Sequence, residues 1–582
     1  MQQPISAQDS HESSTSSSSN QIDDPEKFFS KDLEANINNN NNNINNNNNN
    51  NNGDFSPQQL SRRNSIASEM PSLDEQEAIS RVLTGRIPDL NAPCPPMGGD
   101  RDYPPLLPQQ EQYRVDFTGP DDPLHPFNWP LSKKIVIASC LGATTFTSVW
   151  GSSVFSPALG EISEKFHVAN VVSSLTIALF VLGFASGPII WSPLSELYGR
   201  KFPIVIALFL FTCFTFATAT AKDLQTVIIC RFFSGISASA PLTIVAAVFA
   251  DIFPNTGAIS RGTAINIFAA IVFSGPMVAP IVGGFIVQSY LGWRWTEYLT
   301  GIMSGTTLLA VVLFMEETYT PIILVHKAQI IRERTGNWGV HAVHENVTLD
   351  LSEIITKTIT RPLRMLVSEP IILLLAIYNG FCYLILYLCL SSYPYAFRGL
   401  YHFALNLSML PYLGILIGMI LCAILMILFF EPRYERKLLQ TGVKSNPELR
   451  LEPVLLSALV FPIGLFWFFW TANYADHVHW IVPTISGIFT GFGLMGIMVP
   501  SMNYIVDAYL WFAASALAAL TFLRSMFGAS APLFADFMFD RIHLNWSGLL
   551  LGLLAVAMAP VPYLFFAYGK KIRGVSKYAF DG

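Results

Sequence analysis

The chain has 582 residues, of which 51% are hydrophobic and 13% charged, with a formal net charge of −6. Globular domains carry about 25% charged residues, so the composition excludes an ordinary soluble enzyme, and the absence of a basic stripe argues against nucleic acid as a partner. Seven cysteines, six of them inside apolar stretches, offer no extracellular disulfide framework and read as small buried hydrophobes.

Residues 1–130 are Ser-, Asn- and Pro-rich and too poor in apolar side chains to build a core, which predicts a disordered tail. The run from Asn36 to Asn52, broken only by Ile37 and Ile44, reads as a low-complexity spacer. No apolar segment near the start has the form of a secretory signal, so the first span is expected to direct insertion. Arg62-Arg63-Asn64-Ser65 fits a basic-directed kinase site at Ser65, or a chance match in a Ser-rich tail.

From Ile135 onward, apolar stretches follow one another, each near the roughly 20 residues that a bilayer core requires. They cover 135–154, 171–194, 203–221, 224–249, 263–287 and 298–315, then 370–393, 408–430, 453–472, 481–504, 511–535 and 547–568. This predicts an all-α membrane protein of twelve transmembrane helices in two six-helix bundles, 131–316 and 369–568, joined by a loop at 317–368 and followed by a short tail at 569–582. Lys and Arg number twenty on one side of the alternating loops and five on the other, which places both termini in the cytoplasm.

Between the second and third stretches, Gly199 permits a tight turn, and Glu196 stands one helical turn before Arg200 and Lys201, close enough to pair with them. Asp251 ends the fourth stretch on the same side. Arg231 is about seven residues into the fourth stretch, roughly 10 Å from the outer surface at 1.5 Å per residue. It either snorkels outward or serves the pathway. In the fifth stretch Gly275, Ala279 and Gly283 share one helix face, suited to close approach of a neighbouring helix, while Pro276 and Pro280 bend the helix beside them.

The connecting loop opens with an amphipathic segment, Ile322 to Arg334, expected to lie on the inner membrane surface. His341-x-x-His344-Glu345 has metal-like spacing without further ligands nearby and reads as a solvated cluster. The seventh stretch offers Tyr378, Asn379, Phe381, Tyr383 and Tyr387, flat faces suited to bulky apolar or cationic substrates. Arg524 stands about 13 residues into the eleventh stretch, roughly 20 Å deep, where snorkelling is hard. No Asp or Glu falls inside any stretch, which leaves hydroxyls, carbonyls, water or substrate to partner Arg524, and pushes candidate proton carriers to the span ends at Glu196, Asp251, Glu297, Asp507 and Asp536.

Several strings together carry a resemblance. They are Asn128-Trp-Pro, the order of residues from Gly187 to Lys201, Arg231-Phe-Phe-Ser-Gly235, and Gly275-Pro-Met-Val-Ala-Pro-Ile-Val-Gly-Gly284. To these add Trp293-Arg-Trp-Thr, Glu317-Thr-Tyr-Thr-Pro, Arg361-Pro-Leu-Arg, Asn503-Tyr-Ile-Val-Asp507 and Phe522-Leu-Arg524-Ser. Over about 115–575 the chain resembles the fungal twelve-span drug:proton antiporters of the major facilitator superfamily, including their polyamine-transporter relatives. It departs from them with Ser192 and Ala279 where glycine is common, Glu196 where aspartate is usual and Leu520 where asparagine is frequent. The resemblance implies a cytoplasmic gate latch at Glu196, Gly199, Arg200, Lys201 and Asp251, proton transfer or gating at Arg231 and Arg524, and an antiporter motif that includes Gly284. It implies export of drugs, toxic small molecules or polyamines by a monomer in the plasma or vacuolar membrane, driven by the proton gradient without a cofactor. An uptake permease on the same scaffold and a non-transporting sensor remain the alternatives.

Overall fold

The computed structural model describes residues 113–119, 121–254, 261–346, 356–441, 446–509, 512–574, 576, 578 and 579; Ser65 and the Asn run lie outside them. Its first half contains α1 (Leu131–Ser153), α2 (Leu159–Phe166), α3 (Asn170–Leu197), α4 (Lys201–Thr220), α5 (Leu224–Ile252), α6 (Arg261–Gln288) and α7 (Arg294–Phe314). A connector holds α8 (Thr320–Thr335) and α9 (Arg361–Ser368). The second half contains α10 (Pro370–Pro394), α11 (Leu405–Met409), α12 (Tyr412–Leu425), α13 (Glu431–Thr441), α14 (Glu452–Ala472) and α15 (Ile481–Tyr509), then α16 (Ala513–Ile542), α17 (Leu544–Met558) and α18 (Pro560–Arg573).

Twelve segments of the described residues are long and apolar enough to cross a bilayer, and each falls on one of the predicted stretches. Leu313, Leu428 and Phe429 are each more than 60% exposed, a distribution that water would not tolerate and that lipid satisfies. In the first bundle α3 packs on α5, α4 on α5 and α7, and α1 on α6 and α7; in the second α10 packs on α16, α12 and α14 on α15, and α14 on α17. The halves meet where α3 lies along α16 and α6 along α12. We call the end carrying Arg200 and Arg450 the basic end and its opposite the far end.

The structure corrects the reading of 1–130 as uniformly disordered. Residues 113–119 and 121–130 are ordered against the connector, because Val115 inserts between Ala328 and Ala342, with Leu324, Val325 and Ile331 around it. The backbone of 113–115 pairs with His341: the Val115 amide donates to its carbonyl (2.9 Å) and the His341 amide to the Tyr113 carbonyl (3.0 Å). Lys327 reaches Asp122 at 3.5 Å, whose carboxyl the amides of Thr118 and Leu124 hold down at about 2. The amphipathic segment does form a helix, α8, ended at Gly336 by a positive φ of 65°. Part of the apolar face expected on the membrane is instead covered by the chain's own preceding segment.

Val115→Asp is expected to release this clasp, since it places an unpaired charge among apolar side chains. Amide exchange at 113–125 should accelerate at least about tenfold while α1 to α7 stay protected. In the unaltered protein the protection there, measured relative to intrinsic exchange at each pH, should match at pH 5 and pH 7, because a depressed carboxyl withdraws its contribution only as pH falls below its unfolded value of about 4.

Candidate functional site

Arg231 turns inward from α5, and its guanidinium is 1% exposed. Nη1 donates to Glu297 Oε1 at 3.1 Å and to the Gly151 carbonyl at 2.7 Å, and Nε donates to the Thr176 carbonyl at 3.2 Å. Its plane lies over the rings of Phe180 (4.3 Å) and Phe155 (4.9 Å). Trp293 packs edge-on to Phe155 and covers this end of the site. Snorkelling is thereby excluded, and so is the expectation that no carboxylate lies inside a span. The last helix of the first bundle begins at Arg294, four residues before the predicted stretch, so Glu297 occupies its first turn and is 1% exposed.

The neighbouring backbone carries the contact into the second half. Ser152, next to the Gly151 that binds Arg231, accepts from the Tyr387 hydroxyl at 2.9 Å. Tyr387 packs against Tyr383 (5.0 Å between ring centres), and the Arg524 guanidinium lies 4.8 Å from the Tyr383 ring centre. Arg524 Nη1 also approaches the Met502 sulfur at 4.0 Å, and its Nε has no partner among the described residues. Among the described residues no carboxylate pairs with it. Two buried arginines therefore flank one tyrosine pair across the seam.

The seventh-stretch aromatics separate by helix face. Asn379, Tyr383 and Tyr387 recur at four-residue spacing on the seam side, with Asn379 Oδ1 unpartnered. Phe381 faces Phe461 of α14 (6.3 Å), inside its own bundle. Tyr378 is buried, with its hydroxyl unpartnered among the described residues.

The small-residue face of α6 meets α1. A side chain on Gly275 would meet Val149 Cγ2 at 2.5 Å, and one on Gly283 the Val154 carbonyl at 2.7 Å. Ala279 is fully buried between them, and Pro276 and Pro280 lie within the helix. Gly284 faces the other way, its nearest neighbour being Met409 of α11 at 2.8 Å. Nearby, the Asn406 amide donates to Gln288 and the Ser156 hydroxyl to the Leu390 carbonyl, so the halves are joined at the far end.

At the basic end Arg200 Nε pairs with Asp251 at 3.1 Å, and its guanidinium lies over Tyr319 (4.4 Å). Glu196, expected to pair there, is exposed and makes no ion pair among the described residues. Glu317 takes its place: its carboxylate accepts the amides of Arg200 (2.8 Å) and Lys201 (3.1 Å). These are orphan donors at the start of α4, where no side chain of α4's own caps them, and the helix dipole favours a negative charge. Gly199 has a φ of 86°, and a side chain on it would strike that carboxylate. The missing N-cap before Lys201 was the sequence signal for such an acceptor.

A second cluster, unassigned from sequence, occupies the corresponding place in the other half. Arg450 pairs with Glu431 (3.1 Å) and Asp507 (3.0 Å) and covers the Tyr434 ring at 3.7 Å. Glu431 stands near the end of the eighth span. Glu431 abuts Gly262 of α6, so this cluster bridges the halves. The histidine motif is structural: Glu345 forks onto Arg332 (2.9 and 2.6 Å), and His344 packs edge-on to Tyr319 while its Nε2 meets the Leu197 carbonyl. Burial alone would raise the Glu345 carboxyl, but Arg332 brings it below its ordinary value.

Arg231→Ala should strand Glu297 in a dry site and destabilise the protein by about 3–5 kcal/mol. The double variant Arg231→Met, Glu297→Gln should recover most of the melting temperature without recovering transport. Gly275→Ala should lose about 1–3 kcal/mol and be rescued largely by Val149→Ala, whereas Gly283→Ala meets backbone and should resist rescue by trimming any side chain. Melting curves of purified variants check both.

The sequence profile of the Major Facilitator Superfamily matches residues 141–532. A Candida glabrata protein named multidrug transporter TPO1_2 is 49% identical over 529 residues, covering 90% of each chain. The Candida albicans major facilitator superfamily multidrug transporter FLU1 is 45% identical, covering 97% of this chain and 91% of its own. Among solved structures, the proton:xylose symporter XylE aligns with a TM-score of 0.54 at 16% identity, over 76% of this chain and 96% of that one. The human organic anion transporter MFSD10 aligns with a TM-score of 0.52 at 13% identity, over 75% and 100%. At these identities the structural likeness concerns the fold.

Proposed function

Since the chain belongs to the major facilitator superfamily, whose members are non-enzymatic transporters of small molecules, we propose that it is a proton-driven antiporter exporting drugs and other toxic small molecules, polyamines among them. The basic end faces the cytoplasm, with both termini there, and the protein works as a monomer in the plasma membrane. The bundles at 131–316 and 369–568 rock about the seam, and the connector at 317–368 limits their travel.

One observation carries this reading: a buried carboxylate–guanidinium pair, Glu297 with Arg231, is joined through Gly151 and Ser152 to Tyr387, Tyr383 and Arg524 on the opposite half. A proton arriving on Glu297 cancels the negative member of the pair and leaves Arg231 as an uncompensated cation in low dielectric, which favours a rearranged packing around Gly151. Because Ser152 touches Tyr387, that rearrangement is felt at the seam, where Tyr383, Tyr387 and Asn379 face the substrate path. The Arg200–Asp251 and Arg450–Asp507 clusters act as latches at the cytoplasmic gate, and the small face of α6 keeps α1 close during the motion. Support for export of drugs comes from the names of the fungal relatives.

In everted membrane vesicles, drug accumulation should follow an imposed inward-acid gradient and collapse with an uncoupler. Glu297→Gln, which imitates the protonated carboxyl, should still bind substrate and equilibrate it but no longer concentrate it. Uncoupler-insensitive accumulation, or normal concentration by the glutamine variant, would overturn the assignment of Glu297 as the proton carrier.

A further inference from the structure

Past the end of α18 the chain folds back onto the basic end of the second bundle. Arg573 is 6% exposed and forks onto Glu448, with Nε at 3.0 Å from Oε1 and Nη2 at 3.1 Å from Oε2. Three residues later, the Ser576 hydroxyl donates to Glu369 Oε2 and accepts the amides of Ala579 (3.0 Å) and Tyr578 (3.3 Å). Glu369 is 1% exposed and receives a second hydroxyl, from Tyr509, at 3.1 Å. The Tyr578 ring packs edge-on to Phe512 (5.3 Å), which Arg361 covers from 5.4 Å. One serine oxygen thus ties Ser576, Tyr578 and Ala579 to the first residue before α10 and, through Glu369, to the end of α15.

We propose that Ser576 is a phosphorylation site whose modification undocks this segment from Glu369. Arg573 stands three residues before Ser576, preceded by Lys570 and Lys571, a spacing of positive charge that basic-directed kinases read. Ser576 is only partly buried, whereas its partner Glu369 is almost wholly so. The kinase transfers the γ-phosphoryl of ATP: the Ser576 Oγ–P bond forms, the bond from Pγ to the bridging β-oxygen breaks, ADP leaves, and the hydroxyl proton passes to the kinase's base. The product has lost the proton that Ser576 donates to Glu369 and carries about two negative charges at neutral pH. Set against a carboxylate in a desolvated site, those charges repel strongly. The docked segment holds Arg573 in its pair with Glu448, so the kinase acts on the transiently opened segment, and the phosphate then blocks its return.

The proposal rests on the cytoplasmic placement of the basic end, so its test is done in detergent micelles, where both faces are open. The purified full-length protein is treated with ATP, magnesium and a basic-directed kinase, then mapped by mass spectrometry and digested briefly with trypsin. Phosphate on Ser576, with cleavage after Arg573 about tenfold faster than in the untreated protein, is the expected result, since cleavage follows the open population. Ser576→Asp should reproduce the faster cleavage without kinase, and Ser576→Ala should abolish any effect of the kinase on it. Absence of phosphate at Ser576, or stoichiometric phosphate with unchanged cleavage, overturns the proposal. The orientation is read separately: an epitope fused after residue 582 should be reached by antibody only in permeabilised cells, and its exposure on intact cells would overturn the topology while leaving the micelle result standing.

Discussion

A charge inside an apolar bundle must be matched where it sits, and the pairing of Arg231 with Glu297 is the place where this fold meets that demand. Desolvating either ion alone costs several kcal/mol, recovered only when partner and remaining donors are in good geometry. Here the guanidinium takes a carboxylate from α7, a carbonyl from α1 and another from α3. Three helices are therefore registered by one side chain of a fourth. The aromatic faces of Phe155 and Phe180 exclude water from the pair. Such a site tolerates neither loss of a partner nor an unbalanced proton without moving a helix, and this makes it suited to couple protonation to packing.

The apolar stretches were legible because a bilayer imposes length and composition directly on sequence. The position of Arg231 was legible for the same reason. Its partner was not, because hydropathy trims a span at its first charged residue: the sixth stretch read as starting at 298, while the helix starts at Arg294 and neighbouring helices bury its first turn. The carboxylate over the turn at Gly199 was misassigned to Glu196 because adjacency in sequence suggested it. The actual acceptor, Glu317, lies more than a hundred residues away: the uncapped start of α4 announces the need for an acceptor, but nothing local says which residue meets it. The helical spacing of Asn379, Tyr383 and Tyr387 could be counted, but the rotation of a helix that is apolar on every side could not. Phe381, which faces α14, was therefore grouped with side chains on another face.

The two halves repeat one device with a telling difference. Arg200 with Asp251 and Tyr319 corresponds to Arg450 with Asp507 and Tyr434, each an arginine held by an aspartate at a helix end and stacked on a tyrosine. In the first half the additional acid, Glu317, caps α4 and stays within its own bundle. In the second half the additional acid, Glu431, reaches across to Gly262. Arg261, beside that glycine, feels the charges of both Asp251 and Asp507. The second cluster therefore opposes separation of the halves at this end, and the first stiffens the turn against which it closes.

Both peripheral segments converge on the same end. Tyr113 and Val115 reach the first cluster through His341, His344 and Tyr319, and Arg573 and Ser576 reach the second bundle through Glu448 and Glu369. These contacts are themselves largely buried, Glu369 at 1% and Arg573 at 6% exposure, so loss of one partner leaves the other poorly solvated, as at Arg231. What distinguishes them from the pair at Arg231 is position: they lie at one end of the bundles and involve the peripheral segments, whereas Arg231 and Glu297 are enclosed by α1, α3, α5 and α7. In the proposed antiporter, the pair between α5 and α7 would carry the coupling and the basic-end clusters the gate, so that the two ends of the chain would bias the gate from outside the coupling site.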